Sequence, residues 1–437
     1  MNKASNRKVL IITYYWPPAG GVAVQRWYKF AQYMQEFGYD PIIYTVENGE
    51  FTTKDESLTD LSDQFEVLRE PLFEPYKFYK KFTGKKKSDA VAQEVVGKTG
   101  RKENMAVWIR GNFFIPDARK HWIKRSVKRL SAYLTDHKVD LIVSNGTPHS
   151  CHLIGLGLKN KFDLPWLADF RDPWTKVDYF DKLKLSDSSQ RKHEKLERRV
   201  LENADVVTTV SPSWKNDFME LGAKNVASIT NGFDPKDFGG VSSAPVDDFI
   251  ITHLGSLSNH RFHLKFWESI LNEVKRNEAF KKLLKIRLIG NVDGAFIQYF
   301  KESGLIDYVE LIDQMSHREA LQKASESHVL LLLLGDKQKS KGRIPAKLFE
   351  YMPMNRPVLA YGQEESDVEE IVGEFSSWKF VPFDNFVCLK KSIQELFMDR
   401  QEIINGQFTN PSIEKYERKY LCQEMTALFD SVVKITS

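Results

Sequence analysis

The stretch that decides the fold is KVLIITYYWPPAGGVAVQRWYKF, residues 8–30. Residues 9–15 are β-branched, aliphatic and aromatic without helical spacing, which predicts a strand covered on both faces in a parallel sheet. The sequence WPP at 16–18 ends this strand, because proline lacks the amide donor of a sheet and biases the preceding residue away from the helical conformation. The chain must therefore leave the sheet at this point.

Two glycines, Gly20 and Gly21, follow the prolines and precede a helix predicted over 22–37. Glycine permits backbone conformations and close approaches that a Cβ would forbid. A strand, a glycine turn and a helix start together place unpaired N–H groups at the carboxyl edge of a sheet, where anionic ligands bind. An ordinary connecting loop would use the same residues, and the G-x-G-x-x-G fingerprint of dinucleotide-binding proteins is absent.

The composition is that of a soluble globular protein, with 437 residues of which 42% are hydrophobic and 28% charged. This length predicts two or three domains. The net charge of +4, from 63 basic and 59 acidic residues, is too small to require nucleic acid as a partner. Three widely spaced cysteines, Cys151, Cys388 and Cys422, form no CxxC pair and no even disulfide set, which favours a cytoplasmic location.

No apolar run in the sequence is long enough to span a membrane. The first run is short, lacks a cleavage site and enters the proline–glycine turn, so we interpret it as a strand and not as a signal peptide. The run VLLLLL at 329–334 is far shorter than the roughly 20 residues that a bilayer requires. We therefore expect no transmembrane helix.

Strand-like and helix-like segments alternate along the chain, which predicts parallel, doubly wound α/β sheets. The predicted strands are 9–15, 40–46, 64–70, 139–145, 165–170, 205–211, 226–230, 249–257, 283–290, 308–313, 328–335 and 357–362. An irregular insertion is expected over about 71–117, and a linker rich in Gly, Pro, Ser and Asp lies at 233–249. We predict two Rossmann-like domains, 1–240 and 241–412, facing a cleft, with the final helix at about 413–437 packing back on the first.

Four further motifs follow predicted strands. They are NGTPHS (145–150), DFRDPW (169–174), LGSLSNHRFHLKF (254–266) and KSKGRIPAKLFEYMPMNRPVLAYG (339–362). In the last motif Pro345 suits the first position of a helix, and Lys347 and Glu350, three residues apart, share a helical face. A lysine in a first helical turn suits a phosphate, and a carboxylate further along can accept from ribose hydroxyls. Together they indicate a nucleoside diphosphate site, unless the two side chains form an ordinary ion pair.

Five segments in order, PPAGGVAVQRW, ADVVTTVSPSW, ITNGFD, THLGSL and IPAKLFEYMPMNRPVLA, make the chain resemble the family 4 retaining glycosyltransferases of GT-B fold. The resemblance runs from about residue 8 to 375 and is strongest to the bacterial cell-envelope branch. It implies a metal-independent transfer from a UDP- or GDP-sugar to a lipid-linked or polysaccharide-building acceptor. It also implies that the first domain binds the acceptor and the second binds the donor.

The resemblance implies roles for individual residues. Arg261 and Lys347 would contact the donor diphosphate, and Glu350 would bind the ribose. Further donor contacts would come from Gly20, Gly21, Gly255, Arg343 and Ile344. The family's first motif glutamate is replaced by Gly342, which leaves the contact to the donor sugar unassigned. Asp172, and with less support His149, are the candidate catalytic residues on the acceptor side.

We expect neither a metal nor another cofactor. Many glycosyltransferases of the other major fold hold a divalent metal with Asp-x-Asp, and no Asp-x-Asp occurs in this sequence. Arg261, Lys347 and the helix at 345 would stabilise the leaving diphosphate instead. The pairs at 149/152 and 260/263 have His-x-x-His spacing but no nearby cysteine, so a metal site is not predicted there.

The segment KFYKKFTGKKK, residues 77–87, combines lysines with three aromatic residues inside the insertion. It is either a solvated loop or a patch that binds an anionic membrane surface. Single-stranded nucleic acid is disfavoured because the rest of the chain supplies no groove. The charged helix HEKLERRVLENAD, residues 193–205, is interpreted as a solvated face.

Two alternatives to a transferase remain open at the level of sequence. A nucleotide-sugar epimerase of the same two-domain fold would use the donor without an acceptor. A catalytically silent GT-B protein would bind the nucleotide sugar only, which the glycine at 342 allows.

Overall fold

The structure is a computed structural model that describes residues 6–51, 54–55, 58, 64–72, 101–177, 180–238, 247–335, 341–404 and 412–436. The chain forms two compact units: Met1–Thr230 together with Arg418–Ser437, and Asn231–Glu417. The lysine-rich segment 77–87 lies outside the described residues.

The first unit contains a sheet of seven parallel strands in the order β3-β2-β1-β4-β5-β6-β7. The strands are β1 (Arg7–Ile12), β2 (Tyr39–Val46), β3 (Glu66–Glu70), β4 (Leu141–Gly146), β5 (Trp166–Phe170), β6 (Val206–Thr209) and β7 (Val226–Ser228). Val9 and Ile11 pack into the core on one face of this sheet, and Leu10 and Ile12 pack on the other. Both faces are covered, as the opening stretch predicts.

The helices of the first unit lie on both faces of its sheet. They are α1 (Val22–Met34), α2 (Arg101–Phe113), α3 (Lys120–Asp136), α4 (Ser150–Phe162), α5 (Asp187–Asn203), α6 (Pro212–Glu220) and, from the end of the chain, α15 (Arg418–Thr436). Leu421, Met425 and Phe429 of α15 share a core with α1. Asp430 accepts hydrogen bonds from Arg7 (2.7 Å) and Tyr39 (2.8 Å), which attach the helix to β1 and β2.

The second unit contains six parallel strands in the order β10-β9-β8-β11-β12-β13. The strands are β8 (Phe249–Leu254), β9 (Leu284–Ile289), β10 (Val309–Ile312), β11 (Val329–Leu333), β12 (Val358–Gly362) and β13 (Lys379–Pro382). The helices are α7 (Leu264–Arg276), α8 (Glu278–Leu283), α9 (Gly294–Ser303), α10 (His317–Ser325), α11 (Ala346–Tyr351), α12 (Asp367–Gly373), α13 (Phe386–Met398) and α14 (Arg400–Ile404). The predicted doubly wound α/β architecture is confirmed.

The first strand is shorter than predicted. It ends at Ile12, not at residue 15. The amide of Thr13 still bonds to the carbonyl of Tyr44 at 3.0 Å, but its hydroxyl donates to the carbonyl of Tyr15 at 3.2 Å and turns the chain out of the sheet. The buried Trp16 and the two prolines continue this turn.

The insertion at 71–117 is not irregular throughout, because α2 occupies its last part. The sequence concealed this helix because its large apolar residues at 105, 108, 109 and 113 face solvent, and among its residues whose burial is described only Val107 and Gly111 are buried. Within the described part of the chain, no helix is both long and apolar enough to cross a membrane.

Candidate active site

The candidate donor site lies at the carboxyl ends of β8 and β11. These two strands are neighbours in the middle of the sheet. The strands that follow β8 in the chain lie on one side of it, and those that follow β11 lie on the other. The loops after β8 and β11 therefore diverge and leave room for a ligand. β8 continues into Gly255 and a 3₁₀ turn, Asn259–Arg261. After β11 the described chain resumes at Lys341 and leads into α11. Arg261 and Lys347 therefore reach the same edge of the sheet.

Lys347 passes directly over Gly255. A Cβ at Gly255 would lie 2.7 Å from Cε of Lys347, and the φ of +89° at this position also favours glycine. Nζ of Lys347 lies 3.2 Å from Nε2 of His253 in β8. Nδ1 of His253 lies 3.1 Å from the carbonyl of Leu331, which can only accept, so Nδ1 carries the proton and Nε2 accepts from the ammonium.

Positive charge is concentrated at this site. Burial and the charges of Lys347 and Arg261 hold the pKa of His253 well below its usual value, so this imidazole stays neutral. Burial and the charge of Arg261 lower the pKa of Lys347 to about 7. Burial and the nearby Arg343 lower the pKa of Arg261 as well. Among the described residues no carboxylate forms an ion pair with Arg261 or Lys347, and Nε of Arg261 has no hydrogen-bond partner.

Tyr351 fixes α11 against the two central strands. Its hydroxyl accepts from the amide of Leu254 at 3.1 Å and donates to the carbonyl of Leu331 at 3.2 Å. Burial raises the pKa of this phenol, so it remains protonated and keeps both bonds. Tyr351 therefore sets the position of Lys347 and Glu350, which lie on the same helix.

Glu350 does not pair with Lys347. Its Oε1 lies 3.1 Å from Nε2 of His317 at the start of α10, and its side chain is 20% exposed. No partner is recorded for Oε2 among the described residues. The ordinary Lys–Glu helix pair is thus absent, and one carboxylate oxygen is available to a ligand.

Two predictions about the start of α11 need correction. Pro345 is the residue before the helix, with φ −64° and ψ 139°, and not its first helical residue. The helix is only six residues long, so the charges of the side chains and not a helix dipole dominate the site. Gly342 and Ile344 are buried, and the side chain of Ile344 belongs to the core, so only its backbone can face a donor.

Gly20 and Gly21 lie in the first unit. Gly21 precedes α1 with φ 83° and ψ −179°, a conformation that essentially only glycine adopts, and a Cβ there would meet nothing within 4 Å. A Cβ at Gly20 would lie 3.0 Å from Cβ of Asp55. The backbone conformation alone therefore explains Gly21, and contact of these glycines with a donor stays a prediction.

A buried ion pair joins α1 to the end of β5. Arg26 donates to both carboxylate oxygens of Asp169, at 3.2 and 3.1 Å, and both side chains are almost fully buried. Asp169 also accepts from Trp27 and Thr208, each at 2.7 Å. Burial raises the pKa of Asp169, but Arg26 and these hydrogen bonds outweigh it and hold that pKa below its usual value. This carboxylate is structural.

Asp172 follows β5 in a loop that is tied to the end of β4. Arg171 donates to the carbonyl of Thr147 at 3.0 Å. Asp172 itself is partly exposed, and no hydrogen bond or ion pair is recorded for it within the described residues. Its carboxylate is therefore free to bind a substrate and does not cap the turn before Pro173.

A buried network holds the rest of this loop. Glu197 of α5 accepts from the amides of Trp174 (3.2 Å) and Thr175 (3.3 Å) and from the hydroxyl of Thr175. The indole of Trp174 donates to Nδ1 of His193 at 2.9 Å. The charged helix α5 is therefore not simply a solvated face, because its buried His193 and Glu197 position the loop beside Asp172.

His149 is buried and lies flat against Trp174, with ring centroids 4.6 Å apart and planes within 1°. Burial, then His152, His193 and Arg171, hold the pKa of His149 well below its usual value. It is therefore a neutral imidazole and a weak base, which is a poor general acid or base near neutral pH. Among the described residues, no group of three or more His, Cys, Asp and Glu side chains could hold a metal ion.

Sequence reasoning named Arg261, Lys347 and Glu350 but missed three residues that position the last two of them: His253, His317 and Tyr351. The sequence could have pointed to His253 and Tyr351, because His253 lies in the segment THLGSL and Tyr351 in the segment IPAKLFEYMPMNRPVLA, both of which carry the family resemblance. No sequence pattern pointed to His317, because it approaches Glu350 from a different helix.

Comparison with known structures defines the fold. Sucrose-phosphate synthase from Thermosynechococcus elongatus is 15% identical, with TM-score 0.62 over 98% of this chain and all of that one. Anabaena HepE in complex with UDP-glucose is 14% identical, with TM-score 0.58 over 97% of this chain and 99% of that one. The lipopolysaccharide outer core galactosyltransferase WaaB is 12% identical, with TM-score 0.59 over 97% of this chain and 99% of that one. The fold is GT-B.

The family follows from the sequence of the first unit. Residues 19–237, half of the chain, match the model of Glycosyltransferase Family 4. No curated protein sequence is similar enough to count as a match. The chain belongs to Glycosyltransferase Family 4, and the resemblance noted from its five segments is confirmed.

Proposed function

We propose that the protein transfers a sugar, with retention and without a metal ion, from a nucleoside diphosphate sugar to a lipid-linked or polysaccharide-building acceptor. The observation that carries this proposal is the cation cluster at the edge of the second sheet. Burial and the charge of Arg261 lower the pKa of Lys347, burial and Arg343 lower the pKa of Arg261, and neither cation has a carboxylate counter-ion among the described residues. A diphosphate would supply the missing negative charge.

The remaining donor contacts follow from the same edge. Arg343 adds a third positive charge beside Arg261. The open Oε2 of Glu350 accepts from the ribose hydroxyls, while His317 holds Oε1 in place. Gly255 keeps the space below Lys347 clear, so the ammonium can turn toward the phosphates.

The proposed chemistry depends on charge. Cleavage of the bond between the sugar and phosphate moves negative charge onto the leaving diphosphate. Lys347, which is held in place by His253 and by the anchored Tyr351 of its helix, would stabilise that charge together with Arg261 without reorganising. They would perform the role of a divalent metal, and we assign no protein nucleophile.

On the acceptor side we propose Asp172 as the carboxylate that contacts the acceptor, since it is partly exposed and has no recorded partner among the described residues. His149 is the weaker candidate because it is buried. The cytoplasmic location and the cell-envelope acceptor are part of the same proposal, and they rest on the resemblance and the cysteine pattern.

The proposal is tested by incubating the full-length protein and EDTA with UDP- and GDP-sugars, with and without candidate acceptors. Nucleotide release that requires an acceptor, with the anomeric configuration of the product matching that of the donor, supports retaining transfer. Conversion of the donor sugar without any acceptor would identify an epimerase, and binding without turnover would identify a silent protein. Loss of turnover in EDTA and its return with Mg²⁺ or Mn²⁺ would refute the metal-independent mechanism.

A further inference from the structure

Helix α2 presents a strip of large apolar side chains to solvent. Met105 is 50% exposed, Trp108 43%, Ile109 39% and Phe113 59%. At about 100° per residue these four positions fall within an arc of roughly 140° on one side of the helix. Several large apolar side chains exposed on one side of a helix mark an interaction surface, whereas single exposed apolar residues need no explanation.

The opposite side of α2 attaches the helix to the rest of the first unit. Val107 is buried, and a Cβ at Gly111 would lie 2.7 Å from Leu185. Asn112, whose position projects between Trp108 and Met105, also donates to the carbonyl of Lys184 at 3.2 Å and accepts from the amide of Ser186 at 2.8 Å. The helix is thus fixed by the face of Val107 and Gly111 and by Asn112, and the exposed apolar side chains of the strip do not belong to the core.

Positive charge borders the apolar strip. Lys120, at the start of α3, donates to the carbonyl of Phe113 and lies 5.0 Å from the centre of the Phe114 ring. Further along α3, Lys124 and Lys128 are exposed, and no ion pair is recorded for either among the described residues. Large apolar side chains beside uncompensated lysines suit a surface with anionic headgroups above an apolar layer.

We propose that α2 docks the protein onto the surface of an anionic lipid bilayer. Trp108, Ile109 and Phe113 enter the interface between headgroups and acyl chains, and the lysines of α3 contact lipid phosphates. This inference goes beyond sugar transfer and does not depend on the donor, so it is tested without turnover.

The test is sedimentation of the full-length protein with vesicles of phosphatidylcholine alone or mixed with phosphatidylglycerol. We expect binding to the mixed vesicles only, and about tenfold or more weaker binding for the Trp108→Ser/Phe113→Ser variant. Lys124→Glu/Lys128→Glu should weaken binding at low salt and less at high salt. Val387→Ser, which alters a residue that is 82% exposed in the second unit, should bind like the unmodified protein.

Trp108 also provides a direct probe. The chain has nine tryptophans, and the other eight are buried. Vesicles with brominated acyl chains should therefore quench mainly Trp108, and Trp108→Phe should retain binding but lose most of the quenching. Thermal unfolding of each variant checks that it is folded.

Three results would overturn the proposal. The first is that the unmodified protein binds neither vesicle type. The second is that Trp108→Ser/Phe113→Ser binds as tightly as the unmodified protein, because another surface would then be responsible. The third is a lipid-free dimer that dissociates on the same substitutions, since the strip would then contact a second copy.

Discussion

Lys347 donates a hydrogen bond across 3.2 Å to Nε2 of His253, a residue 94 positions earlier in the chain. The histidine is held neutral by its burial and by the positive charges around it, so it orients the ammonium without neutralising it. This leaves a lysine whose pKa is lowered to about 7 beside Arg261, whose own pKa is lowered by burial and by Arg343. Such a group is poised to bind an anion.

Donor binding should take up a proton above neutral pH. In the free protein Lys347 loses its proton above about pH 7, while a bound diphosphate would hold it in the ammonium form. Calorimetry of UDP-glucose or GDP-mannose binding at pH 8, in buffers of different ionisation enthalpy, should show uptake of close to one proton. Lys347→Gln should show none, and equal proton uptake by both proteins would contradict the assignment.

Removing this lysine should stabilise the fold while it damages binding. Because the pKa of Lys347 is lowered from its unfolded value of 10.5 to about 7, the unfolded chain holds more protons between these values. The stability of the unmodified protein therefore rises with pH through this window, and the charged lysine costs stability below it. Lys347→Met should raise the melting temperature most at pH 6 and least at pH 10. Scanning calorimetry at both pH values measures this, and a lower melting temperature at pH 6 would contradict it.

Asp172→Ala should lower transfer by at least about tenfold and leave donor affinity unchanged. The reason is that its carboxylate has no recorded partner among the described residues, so its loss removes an interaction with the acceptor and not a structural contact. Steady-state transfer and donor binding are measured on the same preparation. Asp181→Ala, at an exposed position in the same unit, is the control. A fall in melting temperature that matches the loss of activity would argue for a structural role.

Asp169→Ala should have the opposite profile. It leaves the buried guanidinium of Arg26 without its carboxylate, which typically costs about 3–5 kcal/mol. Urea denaturation should show this loss in the transition of the first unit, and donor affinity of the remaining folded protein should be unchanged. A change below about 1 kcal/mol would mean that water or another group replaces the carboxylate.

The central strands of the two sheets were predictable from sequence because they are buried on both faces. Leu331 and Leu333 lie in one core and Leu330 and Leu332 in the other, and a run that is apolar at every position has few alternatives to a central strand. β13 was missed because it is a short edge strand, Lys379–Pro382, that begins with a lysine and ends with a proline.

The site was only partly predictable. Lys347 and Glu350 could be named because they lie on one short helix, but their partners His253 and His317 come from β8 and α10. The roles of Asp169 and Asp172, three residues apart, could not be distinguished, because the difference depends on Arg26, 143 positions away from Asp169. Spatial contacts of this kind leave no local pattern in a single sequence.

The central claim is that Lys347 and Glu350 bind the two halves of a nucleoside diphosphate. The measurement that tests it most directly is calorimetric titration of the full-length protein with UDP and with GDP. For whichever nucleotide binds, we predict that Glu350→Ala and Lys347→Ala each weaken affinity about ten- to a hundredfold. Lys301→Ala, at an exposed position on α9, should bind normally, and all variants should unfold cooperatively. His317→Ala, which removes the hydrogen bond that supports Glu350, should have a smaller effect. Nucleotide affinity that is unchanged in both Glu350→Ala and Lys347→Ala would contradict the account.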